Sequence, residues 1–350
     1  MTTEFLGTGF PLTMDHYARE EHESWDNVRQ QIDRAFPNDR NLLISLTWFG
    51  PQFMTIDGAP SGWARVLDME AEGITFDNVF LLATVDPPYI NDAEQRMVKN
   101  KLKALRLYKL GNFDTNYQFN FFAPIIAENF KQYTQEELLL TDIKHIYVNY
   151  NRKPKVHRLA FVRKLMEHNL MQYGTVTLGR DVQHIFDQDP NNDLYLSIGE
   201  NPDNYQTPED GSYAVPNDCF TLHRMDVWQS TFLYVNAATE FNSRDDLFCQ
   251  QDVFKPLLGL RPFVINGQQR TYRYLRNNGF RTFNHYWPHV NIENGTVHES
   301  IIELIKHLVA QGTDELQAMY RDMLPDLLYN QQRFPEYARE QKYKLDHLFE

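Results

Sequence analysis

Apolar and polar positions fall along this chain in blocks whose lengths separate strands from helices. The clearest series runs from Phe248 to Phe283, FCQQDVFKPLLGLRPFVINGQQRTYRYLRNNGFRTF. Phe254, Leu257 and Leu258 give a short helical face that stops at Gly259. Pro262 then opens Phe263-Val264-Ile265, a run too short and too β-branched for a helix, which predicts a strand covered on both faces. Asn266-Gly267 supplies turn chemistry, and Thr271–Arg276 predicts the next helix. Gly279 stands where a left-handed C′ residue would end it. In open α/β sheets ligands bind beyond the carboxyl ends of the strands, so Asn266 and Gly267 occupy a candidate nucleotide position.

The same reading organises the rest of the chain. A helix is predicted over residues 15–36, a strand over Asn41–Phe49 stopped by Gly50-Pro51, and a helical stretch over Ala64–Ala71. A second buried strand runs from Asp77 to Asp86, where a proline pair ends the ladder. Met97, Leu102, Leu105 and Tyr108 recur near helical spacing and predict a helix over Asp92–Leu110. The aromatic stretch Tyr117–Ile126 reads as strand. Thr134-Gln-Glu-Glu137 has capping-box spacing and opens a very short helix. Strands are predicted at Lys144–Tyr150, Thr175–Leu178 and Phe232–Glu240, with a helix over Leu159–His168. Residues 187–218 read mostly as loop. Ser300-Ile-Ile-Glu303 is another capping box before the face Ile301, Ile305, Leu308 and Val309. The last forty residues are helical and charged, with breaks at Pro325 and Pro335. Strand, helix, strand at these spacings is the α/β pattern. It divides near residue 140 into 1–140 and 141–350, two α/β domains facing a cleft.

Composition narrows the class. The chain has 350 residues, 42% of them apolar and 14% aromatic, ample for two cores. Lys plus Arg total 34 against 47 Asp plus Glu, a net charge of −13 that disfavours broad binding of polyanions but leaves a local basic groove open. Cys219 and Cys249 are the only cysteines, too few for a disulfide framework or a multi-cysteine zinc site. The N-terminal segment lacks a basic region followed by an apolar run, and no window approaches about eighteen uninterrupted apolar residues. These features predict a cytoplasmic protein with no secretory signal and no membrane span.

No GxxxxGK[ST] phosphate loop, GxSxG elbow or HExxH pair occurs. Asp187-Gln-Asp189 has the form of a metal-holding DxD, but lies in an Asp/Asn-rich loop where chance accounts for it, so no metal site is assigned. Asp86, at the end of its strand, is the candidate general base, beside a structural alternative of capping the turn before Pro87. The aromatic clusters Tyr117–Phe122 and Tyr272, Tyr274, Tyr286 and Trp287 suit stacking on sugars or bases, or simply a core.

Several spaced features then agree. They are Lys155-Val-His157-Arg158, Leu165, Asn169-Leu170, Gly174, Thr239-Glu240, Phe254-Lys255-Pro256, Pro262-Phe263, Leu275-Arg276 and Gly279-Phe280-Arg281-Thr282-Phe283. Over roughly residues 145–310 this pattern resembles the donor-binding C-terminal half of glycosyltransferase-like proteins of tailed bacteriophages. Those proteins are related to the GT-B class, which includes α-1,3-fucosyltransferases. The resemblance implies two Rossmann-like domains and a nucleotide-sugar donor as co-substrate, with no further cofactor. It also implies transfer to a hydroxyl acceptor such as a modified DNA base or a glycan. For such a donor the candidate residues are Arg158 and Lys255 as cations, Gln251 as a hydroxyl partner, Glu240 as an acid at a strand end, and Asn266 and Gly267 from their strand-end position. The family commonly carries Ser-Glu-Lys ahead of Phe-Lys-Pro, where this chain has Gln250-Gln251-Asp252. Gln251 can still bond a hydroxyl, whereas Asp252 would repel phosphate. That departure leaves a second reading, a catalytically silent relative acting in binding or structure.

Overall fold

The computed structural model describes residues 3–7, 26–46, 69, 71–83, 106–111, 119–120, 122–151, 156–178, 220–222, 224–238, 241, 247, 251–293 and 296–350. The chain folds into two compact units. The first comprises residues 1–125, 244–249 and 338–350, and the second residues 126–243 and 250–337. The sequence placed the division near residue 140; the units part between Ile125 and Ile126.

In the first unit, β1 (Glu4–Gly7), β2 (Asn41–Leu46), β3 (Asn78–Ala83) and β4 (Arg106–Gly111) form a parallel sheet in chain order. Asn41 to Ile44 are buried without alternation, as expected of a parallel strand covered on both faces. Helix α1, followed over residues 26–35, contributes Val28 and Ile32 to the core. Phe80 stacks on Tyr108 at 4.5 Å, and Phe36 and Phe349 stand against the pair. That stack explains why Arg106–Leu110 is a strand rather than the end of the expected helix. Phe80 and Tyr108 are register partners, so the two-residue alternation of Tyr108 and Leu110 on a parallel neighbour outweighs the helical spacing. Residues 92–105 lie outside the described residues.

The expected strand at Tyr117–Ile126 is also overturned, since α2 (Phe122–Asn129) is helical. The Asn120 carboxamide accepts hydrogen bonds from the Phe122 and Ala123 amides, supplying the orphan donors of a helix start despite the aromatic composition. The Thr134–Glu137 capping box is present in both directions and opens α3 (Gln135–Leu138).

The second unit is built on β5 (His145–Asn151), β6 (Gly174–Leu178), β7 (Thr231–Ala237) and β8 (Phe263–Asn266), all parallel. Their order across the sheet is β6-β5-β7-β8. The first strand pairs with the second on one side and the third on the other, the order of a doubly wound sheet. Its helices are α4 (Val156–Glu167), α5 (Met225–Gln229), α6 (Phe254–Leu258), α7 (Arg270–Asn277) and α8 (Val297–Gln311), together with α9 (Thr313–Asp346) as far as Tyr337, the rest of α9 being counted in the first unit. Gly174 opens β6 because a side chain there would meet the Tyr147 ring at 2.4 Å.

Helix ends show which sequence signals carried. Gly279 adopts φ 84°, and the bonds from the Phe280 amide to Leu275 O and from the Gly279 amide to Arg276 O close α7 in a Schellman motif, as the sequence predicts. Asn169-Leu170, noted above for resemblance, does the same for α4 with φ 54° at Asn169. At α6 the left-handed residue is Leu260, φ 52°, not Gly259. Gly259 is required instead by packing, since a Cβ would fall 2.4 Å from the Trp228 ring, whose Nε1 donates to Gly259 O.

Two expectations near the C-terminus are corrected. The helix α8 starts at Val297, so Ser300 lies within it and its hydroxyl donates to Asn291 O rather than capping. Pro325 and Pro335 lie inside α9 without breaking it. Buried Tyr320, Met323, Leu327, Phe334 and Tyr337 anchor that helix on both sides of each proline. Between the prolines the Asn330 carboxamide bonds both the N–H and the C=O of Arg281. That packing outweighs the loss of a helical hydrogen bond at each ring.

Candidate functional site

Parallel strands end together, so the sheet of the second unit brings the ends of β5, β7 and β8 to one edge. The strand order turns back between β5 and β7, and such a switch point is where doubly wound sheets leave room for a ligand. Arg158 stands there. It lies in the first turn of α4, which follows β5, yet its guanidinium reaches across to β7. Nη2 donates to Ala237 O at 2.7 Å and Nε to Ala238 O at 3.4 Å. The side chain is buried, and the two carbonyls fix the plane of its fork. His157 Nε2 also bonds Ala238 O at 2.9 Å.

Four asparagines, all fully buried, lie toward the carboxyl ends of these strands: Asn149 and Asn151 in β5, Asn236 in β7 and Asn266 at the end of β8. Asn149 Nδ2 donates to Val235 O at 2.9 Å, and Asn151 Nδ2 donates to Asn149 Oδ1 at 2.5 Å. The Val235 carbonyl thereby orients both amides in turn, leaving Asn151 Oδ1 without a partner among the described residues. Asn236 and Asn266 have neither amide atom partnered among the described residues. Such groups cost about 1–3 kcal/mol each when buried, and this sheet collects them at its carboxyl edge. Gly267 and Gln268 are buried as well, and the short connection they make leads directly into α7.

The remaining candidates are placed differently. Lys255, in α6, is almost wholly buried, and its ammonium faces Asp252 Oδ1 at 3.5 Å. The carboxylate expected to repel phosphate is therefore an ion-pair partner of the lysine expected to bind it. Gln251 lies in the 3-10 turn before α6. Asp86 and Glu240 fall outside the described residues, as do Asp187 and Asp189 and the basic segment 152–155. Of the aromatic group, Tyr272 and Trp287 are core side chains. The Tyr272 hydroxyl accepts from the Ile265 amide at 2.7 Å, and burial raises its pKa far above the ordinary phenol value.

A row of rings adjoins the Arg158 turn. Phe241 stacks on His157 at 5.1 Å and meets His298 at 4.7 Å, and Phe161 lies 5.6 Å from His298. Desolvation lowers His298 to about 4, with Glu299 opposing and Lys164 adding to the shift. Folding thus favours the neutral ring. Its contribution is present above the ordinary histidine pKa of about 6.5 and is lost as pH falls toward the folded value. Urea unfolding of the protein and of His298→Gln across pH 7 to 4 is expected to show a steeper loss of stability in the parent. Identical pH slopes would remove His298 from this account.

Asn149, Asn151 and Asn236 escaped the sequence reading, although a signal was there. Tyr147-Val148-Asn149, Tyr234-Val235-Asn236 and Val264-Ile265-Asn266 are three buried strands that each turn from apolar to asparagine near the carboxyl end. No protein-family model, curated protein or solved structure matches this chain. Among the described residues, no helix is long and apolar enough to cross a membrane.

Proposed function

We propose that this chain is a glycosyltransferase that moves a sugar from a nucleotide-sugar donor to a hydroxyl acceptor, and that its second unit holds the donor. The observation that carries the reading is the buried Arg158 fork at the switch point of a doubly wound sheet. A nucleoside diphosphate needs a cation and oriented N–H groups for its pyrophosphate. In the reaction the acceptor oxygen bonds to the anomeric carbon, the bond from that carbon to the diphosphate breaks, and a base takes the acceptor proton. Arg158 stabilises the charge on the departing diphosphate. Asp86 is the base assigned from the sequence. The finer architecture proposed is a Rossmann-like domain in each unit, as in the GT-B class. The acceptor is a hydroxyl on a modified DNA base or a glycan, in the cytoplasm of a phage-infected host.

A panel of nucleoside diphosphates and their sugars, each at millimolar concentration, tests this through thermal unfolding. At least one is expected to raise the midpoint, by the mass-action stabilisation of the bound state. A flat response to UDP, GDP and their sugars would sink the enzyme reading. The Lys255–Asp252 pair favours a second reading, a silent relative that binds nucleotide without transfer. Binding without turnover of any donor would select it.

A further inference from the structure

We propose that Asn151 and Asn266, standing on either side of Ala237, form a subsite for the vicinal diol of a sugar ring. The placement follows from the register. Val148 and Tyr234 are the last register pair between β5 and β7, so Asn151 has the same parity as Ala237, and Ala237 pairs with Asn266. Residues of one parity point to one face of a parallel sheet, so Asn151, Ala237 and Asn266 share a face at the carboxyl ends of β5, β7 and β8. Ala237, on the strand between theirs, is the smallest residue that carries a Cβ, so it leaves room on that face. Hydrogen bonds of about 2.8 Å from the two amides would hold a hydroxyl pair over it.

The unmet groups define the ligand's chemistry. Asn151 presents an acceptor, Oδ1, because its Nδ2 is held by Asn149. Asn266 presents both an acceptor and a donor. Exchanging the oxygen and nitrogen of Asn266 changes nothing, since neither is partnered. A phosphate dianion offers only acceptors and leaves both Oδ1 atoms unmet. A pair of ring hydroxyls donates and accepts and closes the whole set. Arg158, bonded to the carbonyl of the intervening Ala237, places a cation beside these residues. Diol and diphosphate thus take adjoining positions. Asn236 belongs to the opposite face and is not part of this set.

The subsite rests on the nucleotide reading above, and its diol belongs either to the ribose or to the transferred sugar. Titration calorimetry on the full chain separates these, using UDP and GDP, their 2′-deoxy forms and their sugar conjugates. The ribose assignment predicts that the 2′-deoxy form of the bound nucleotide is at least about tenfold weaker than its parent. Assignment to the transferred sugar predicts equal ribo and deoxy affinities, with the sugar conjugate at least about tenfold tighter. In either case Asn266→Ala abolishes the difference. That variant is expected to keep its fold, because it removes an amide that has no partner. Ala237→Val is the second variant, filling the space between the asparagines, and is expected to abolish the same difference. Ribo and deoxy forms binding alike, with no gain from the sugar, overturns the subsite and leaves the nucleotide reading standing. A difference that survives in both variants also overturns it. A chain that binds none of these compounds overturns both.

Discussion

Arg261→Met is expected to lower the folding free energy by about 3–5 kcal/mol, the largest effect of any single change in the second unit. Arg261 is buried without a carboxylate partner among its hydrogen bonds. Its fork donates to Trp228 O at 2.8 and 3.0 Å, to Leu138 O at 2.7 Å, to Leu260 O at 2.8 Å and to the Tyr320 hydroxyl at 3.2 Å. One side chain thereby joins the end of α3, the end of α5, the start of β8 and the helix α9. Burial lowers its pKa to about 10, so the charge persists at neutral pH. Removing a buried ion can stabilise a protein when its partners are removed too. Here the partners are mostly backbone carbonyls that no substitution deletes, so methionine would leave them buried and unpaired, and that loss dominates. Arg261→Lys is expected to recover only part, because an ammonium cannot reproduce the planar fork. Guanidinium unfolding of the three proteins measures it. A loss below about 1 kcal/mol in Arg261→Met would show that the network does not hold the fold.

Arg158→Ala is expected to weaken nucleoside diphosphate binding by at least about 30-fold, corresponding to about 2 kcal/mol or more for the loss of one partner of a buried charged contact. Arg158 and Arg261 lie beyond opposite ends of the same sheet and carry opposite expectations. Arg261 joins elements before the strands, whereas Arg158 stands after them. Arg158→Lys keeps the charge and is expected to bind more weakly than the parent and more tightly than Arg158→Ala. That ordering separates a binding role from a purely structural one, provided circular dichroism shows the variants folded. A folded Arg158→Ala protein with unchanged affinity would contradict the assignment.

The elements that the sequence revealed are those whose local chemistry and packing agree. In Phe248–Phe283 the Schellman glycine at Gly279, the buried run Phe263–Ile265 and the amphipathic α7 point the same way, and the structure follows them. Elsewhere long-range partners decided. Tyr108 became a strand residue because Phe80 lies beside it, and Phe122 entered a helix because Asn120 supplied its cap. Pro335 reads as a break until Phe334 and Tyr337 are seen packed on Phe254. The site shows the same divide. Asn266 was legible as a strand-end residue, but the face it shares with Asn151 depends on a register that no local pattern encodes. The Lys255–Asp252 contact was concealed by reading both residues against a phosphate instead of against each other.

A crystal structure of the protein soaked with the nucleoside diphosphate that most raises its unfolding midpoint tests the central claim most directly. The account predicts the diphosphate within hydrogen-bond distance of the Arg158 guanidinium, beyond the carboxyl ends of β5 and β7, with its sugar toward Asn266. A nucleotide bound away from that edge, making no contact with Arg158, would contradict it.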